Sequence, residues 1–151
     1  MPRRVLLTGA AAAAGLATAI AAWPGGAEVR LAPDDPEIVA AGAAVYAAQC
    51  APCHGAELEG QPGWRGRGLD GRLPAPPHDK TGHTWHHGDE ALFRLTKEGP
   101  KAFVGPDYQT AMLGFAGVLS DAEILAVLSY IKARWPEPIR QRLDQANAQD
   151  G

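Results

Sequence analysis

Cysteine is nearly absent from this chain: 151 residues contain two, at 50 and 53, and none is left to pair elsewhere. A framework of several disulfides is therefore excluded, as is a four-cysteine zinc site, which needs a second closely spaced pair. Clustered lysine and arginine are also missing. Without residues 1–22 the chain has 12 basic against 17 acidic residues, near −5 with neutral histidines, and no basic patch of the kind a nucleic-acid surface requires. Apolar and polar residues do not alternate over any stretch long enough for strands, and no internal repeat is present. No serine, carboxylate pair or other group is placed for acid–base or nucleophilic catalysis. One uncharged apolar run exists, Val5 to Trp23, behind Met-Pro-Arg-Arg. That layout, with the small-x-small step Ala19-Ile20-Ala21, is read as a cleaved export signal over residues 1–22. An uncleaved anchor is the alternative, since about 19 apolar residues can just span a bilayer. Both readings put the bulk of the chain outside the cytoplasm, in the periplasm or beyond, and limit membrane association to residues 5–23.

What is present reads as a helical domain over 35–136, preceded by a Gly/Pro-containing linker at 23–34 and followed by a polar tail at 137–151 expected to fray. Asp35-Pro36 starts a helix as N-cap and first helical residue, and Ile38, Gly42, Val45, Tyr46 and Gln49 give it one face up to Cys50. In that face Gly42 is a notch and Tyr46 a knob. A second helix is expected over Asp89 to Glu98, closed by Gly99-Pro100, and KAFVGPDYQTAMLGFAGV after it is expected to be irregular. Ser120 and Glu123 form a capping box, with Leu119 and Ile124 as its hydrophobic staple. Ile124, Leu128, Ile131 and Trp135 then continue a helical stripe, widened by Val127 and Tyr130, that Pro136 stops. Three or four helices leave long loops, above all residues 55–82, and too little core for them unless another apolar mass fills the middle.

Cys50-Ala51-Pro52-Cys53-His54 addresses that shortage. A redox dithiol of the thioredoxin type would begin a helix inside a βαβ unit, whereas this pair ends a helical run. Zinc lacks its second cysteine pair unless a loop histidine completes the set, and a disulfide across two residues closes too small a loop to gain much. Cys-x-x-Cys-His instead attaches a c-type haem: two thioethers from Cys50 and Cys53, with the His54 imidazole under the iron. The porphyrin then supplies the missing apolar mass. Met112 is the only methionine besides Met1, and lies 58 residues after His54 in a loop, where it can return to the far face of the iron as second axial ligand. Core gap-filling is the plain alternative for it. His78, His83, His86 and His87 form a cluster that could bind copper or zinc, or supply that ligand instead of Met112. His83, Trp85, Arg65 and Arg67 are candidate haem-propionate contacts. A backbone carbonyl near Pro62 is the expected acceptor for the other His54 ring nitrogen.

On Cys50, Cys53, His54, Met112 and the Gly42/Tyr46 helix, residues 35–135 resemble the class I mono-haem cytochromes c. HDKTGHTWHHGDEALFRLTKEG is similar to the same region of bacterial exported members. The resemblance implies an all-α cytochrome c fold wrapped around one covalent haem c, His54/Met112 ligation, and one-electron transfer between redox proteins. Those partners would be a donor dehydrogenase and an acceptor oxidase or reductase, with this chain a carrier or electron-transfer subunit rather than an enzyme. It further implies that Gly42 and Tyr46 pack against Val127 and Tyr130. Many relatives follow the methionine with proline, whereas this chain reads Met112-Leu113-Gly114-Phe115. That difference motivates an alternative, a sensory haem protein whose methionine a small ligand displaces; a metal-handling module built on the histidine cluster is a further one.

Overall fold

Asp35 sets the start of α1 (Pro36–Val45): its carboxylate accepts from the Glu37 and Ile38 amides at 2.9 and 3.2 Å, and Pro36 needs no acceptor for an N–H it lacks. In the computed structural model, which describes residues 29–150, the helical run does not stop at Cys50. It widens into a π-helical turn over Tyr46–Cys50 and resumes as a single turn, α2 (Ala51–His54), so the whole Cys-x-x-Cys-His motif is helical. The export signal expected over residues 1–22 and residues 23–28 of the expected linker lie outside the described residues.

Residues 55–83 form an irregular loop, followed by a 3₁₀ turn over Thr84–His86 and by α3 (Asp89–Glu98), with the bounds expected from its pattern. Gly99 ends α3 at φ 84°, a conformation that glycine adopts without cost. A single turn, α4 (Lys101–Val104), lies in the stretch expected to be irregular. In α5 (Asp121–Ala133) the capping box is complete: the Glu123 amide donates to Ser120 Oγ, and the Ser120 amide donates to the Glu123 carboxylate at 2.8 Å. There are no strands among the described residues, so the fold is all-α. Nor is any of their helices long and apolar enough to cross a membrane.

The expected frayed tail is instead α6 (Glu137–Asp150). Only Ile139 and Leu143 are apolar enough in this segment to mark a docking face. They stand four residues apart on one stripe, and Leu143 is 5% exposed in the main core. Ion pairs complete the seam, Arg140 with Asp34 at 2.7 Å and Asp144 with Lys132 at 2.6 Å. The described end of the linker is docked as well: Leu31 is buried, its amide donates to Asp89, and the Ala32 amide donates to Ser129 Oγ.

The α1–α5 crossing organises the rest. A Cβ on Gly42 would stand 2.0 Å from the Ala126 carbonyl oxygen and 2.9 Å from Tyr130 Cβ, so the two backbones touch where the notch was expected. The partner of the glycine is the Ala126 main chain rather than Val127, whose side chain is buried in the core. Tyr46 does meet Tyr130, with ring centroids 5.3 Å apart. Lys132, 1% exposed, lies between Asp89 and Asp144 and joins α5 to the start of α3 and to α6. Two of the three charges, Lys132 and Asp89, are buried, and the cluster is satisfied because the Leu31 amide also donates to Asp89.

Candidate functional site

Tyr46 carries the packing of α1 into the motif. Its ring is buried, and its hydroxyl donates to the Gly55 carbonyl at 2.8 Å, holding the residue that follows His54. The Gly60 amide donates to the His54 carbonyl at 2.7 Å, so the chain turns back directly after the motif. The π-helical turn between Tyr46 and Cys50 inserts one extra residue per turn, which resets the direction of the following side chains; such turns recur at functional sites.

His54 is buried, with Nδ1 2.8 Å from the Pro76 carbonyl oxygen. A carbonyl can only accept, so Nδ1 carries the proton and Nε2 keeps a free lone pair. That is the tautomer of a metal-ligating imidazole fixed by an outer hydrogen bond. Its acceptor is Pro76, not a carbonyl near Pro62, because the loop returns past the histidine at its far end. Burial lowers the pKa of His54, and the hydrogen bond to Pro76 opposes that shift.

Both cysteines are free, Cys50 half-buried and Cys53 exposed, spaced three residues apart on one helical stretch and hence on one side of it. Burial first, and the neighbouring Cys53 second, push the Cys50 thiol up to about 11. A redox dithiol needs the opposite shift and a βαβ setting, and no strand is present among the described residues, so the thioredoxin-like reading is not supported. Zinc fares no better: among the described residues no three His, Cys, Asp or Glu side chains group to hold a metal ion.

The histidine cluster separates. His78 stacks on His54, with ring centroids 3.9 Å apart and planes 23° from parallel. His83 stacks on Trp64 at 5.6 Å and meets His87 edge-on, while His86 stacks on Trp85 at 3.8 Å. Arg65 lies over Trp64 at 4.1 Å, so His83 and Arg65 share one aromatic platform. Arg67 is apart from them, over Tyr108 and donating to the Gly71 carbonyl, and the Trp85 indole N–H donates to the Lys80 carbonyl at 3.3 Å.

Met112 is half-buried in the loop between α4 and α5, and its amide donates to Thr110 Oγ1. Just after it the loop is fastened to the last turn of α3: the Phe115 amide donates to the Thr96 carbonyl at 3.0 Å and the Ala116 amide to Lys97 at 2.9 Å. These bonds restrain the segment that lacks a proline. Sequence reasoning missed both the His78 stack and the Pro76 acceptor; the Pro76-Pro77-His78 run is the one local signal that could have drawn attention to them.

The protein-family model described as Cytochrome c matches residues 39–135. No curated protein and no solved structure gives a match.

Proposed function

The chain belongs to the cytochrome c family, and from that premise we propose that it is an exported class I mono-haem carrier whose iron is held by His54 and Met112. Members of the family bind haem c covalently and transfer electrons, and Cys50-Ala51-Pro52-Cys53-His54 fits their attachment motif. The observation that carries the proposal is His54: a buried imidazole with Nδ1–H spent on Pro76 and Nε2 free to bind. Apolar side chains fit the same group. The large exposed ones among the described residues, Leu69, Leu73, Phe103, Val104, Leu113 and Val118, all lie between α2 and α5, on the segments that a porphyrin would draw together.

In this reading Cys50 and Cys53 would form the two thioethers, and His54 Nε2 and the Met112 sulfur would be the two protein ligands of the iron. His83 and Arg65, which share the Trp64 platform, would serve the propionates, with Arg67 and Trp85 as further candidates on separate contacts. When bound, the haem supplies a reversible one-electron ferrous/ferric couple. The chain's own residues would hold that group in place: the Pro76 carbonyl orients His54, and the loop that carries Met112 is fastened to α3. The hydrogen bonds of Phe115 and Ala116 to α3 favour a ligand loop that stays closed over one with a displaceable methionine. Redox proteins are the partners, a dehydrogenase as donor and an oxidase or reductase as acceptor, met in the periplasm after export through residues 1–22.

Met112→Ala tests the proposal. The oxidised wild-type protein should show the weak sulfur-to-iron charge-transfer band, and the variant should lose it completely while keeping covalent haem. Persistence of the band in the variant would remove Met112 from the iron.

A further inference from the structure

We infer that His78 is a positioning residue that sets the rotation of the His54 imidazole about its bond to the iron. The inference rests on His54 being the proximal ligand. One hydrogen bond from Nδ1 to Pro76 locates an edge of that ring but leaves its plane free to tilt. The flat face of His78, 3.9 Å away and 23° from parallel, removes that freedom.

His78 can impose an orientation because its own is heavily determined. Its amide donates to the Leu58 carbonyl at 2.8 Å, and its carbonyl accepts from the Trp135 indole N–H at 2.8 Å. Its ring Nδ1 is hydrogen-bonded to Thr84 Oγ1 at 2.8 Å, and Tyr46 meets the ring edge-on at 6.4 Å. Leu58, the acceptor for the amide, is buried and sits at φ 70°, a backbone conformation a leucine keeps only when its surroundings hold it. Pro76 and Pro77 fix φ at two successive residues. The carbonyl that takes the His54 proton and the ring that covers its face are therefore parts of one stiff three-residue bracket. Trp135, just beyond α5, fastens the bracket to the C-terminal part of the fold.

The orientations of the axial ligands, the imidazole plane among them, decide how the unpaired electron of low-spin ferric iron is distributed over the porphyrin. The spread and order of the hyperfine-shifted haem-methyl proton resonances read that distribution directly, whatever the stability of the fold. The experiment records these spectra, with the midpoint potential, for the full-length holo-protein and for His78→Leu, which removes the flat ring, and His78→Phe, which keeps one. His78→Leu should reorder or compress the methyl shifts and move the potential, and His78→Phe should return the methyl pattern toward wild type. Asp35→Ala, which removes the N-cap of α1 and none of the hydrogen bonds of the bracket, should leave the pattern alone. Wild-type methyl shifts in His78→Leu would overturn the inference, as would equal displacement in the Leu and Phe variants. If His78→Leu does not fold, Thr84→Val, which frees the ring but retains it, should move the shifts in part, and an unchanged pattern there counts against the inference. Failure of the proximal assignment has a separate signature: the wild-type spectrum would then lack hyperfine-shifted imidazole resonances from His54.

Discussion

Gly42→Val should cost the protein at least about 3 kcal/mol, the upper part of the range for over-packed cores. A glycine makes room where two backbones meet, and here the added Cβ would lie 2.0 Å from the Ala126 oxygen and 2.5 Å from its carbonyl carbon. Neither atom belongs to a side chain that can rotate aside, so α1 must withdraw from α5. Withdrawal uncovers Tyr46 and the α5 residues Ile124, Val127 and Leu128, all buried in the native fold. Against a total stability of about 5–15 kcal/mol this is a large fraction. Because the Tyr46 hydroxyl holds Gly55, the motif is loosened as well. Guanidinium unfolding of the holo-protein should show the loss, with Gly42→Ala shifted in the same direction. A change below about 1 kcal/mol, that of an average substitution, would mean that the helices do not meet at this residue.

Lys132→Met should be comparably damaging for an electrostatic reason. Methionine keeps the length and apolar stem of the side chain, so packing is nearly conserved. What disappears is the charge facing Asp89, whose two oxygens both lie 3.2 Å from the ammonium in a buried site. Leaving a buried carboxylate without its cation costs about 3–5 kcal/mol, moderated here by the Leu31 amide and by the position of Asp89 in the first turn of α3. Asp144→Asn should cost far less, since that carboxylate is 59% exposed and exposed pairs contribute about 0–1 kcal/mol. Denaturant titration of both variants checks the ordering. A Lys132→Met loss no larger than that of Asp144→Asn would show that the cluster is solvated.

The features legible in the sequence are those whose physics is local. The Asp35 cap, the Ser120/Glu123 box and the Gly99 stop each depend on residues within one turn, and each is found where its chemistry demands. The Gly42 notch was equally readable, though its partner proved to be the Ala126 carbonyl, because side-chain identities do not report which main-chain atom a glycine faces. Cys-x-x-Cys-His is readable for the same reason: three roles at fixed spacing in five residues.

What escaped depends on partners far along the chain. Residues 137–150 look like a tail because Ile139 and Leu143 are a thin stripe, and their ion pairs reach back to Asp34 and Lys132. Leu31 gives no linker signal, yet its amide finds Asp89 58 residues away. The Pro76 acceptor could not be placed from the motif because the path of a 22-residue excursion decides it. The four histidines are neighbours in sequence, and only the fold turns His78 inward to His54 while leaving His83, His86 and His87 exposed.

Titration of the reduced holo-protein with carbon monoxide, followed at the Soret band, tests the central claim most directly. An electron carrier with both axial positions occupied should show no spectral change at neutral pH, whereas stoichiometric carbon monoxide binding by the native protein would reveal an open or displaceable site and contradict the assignment.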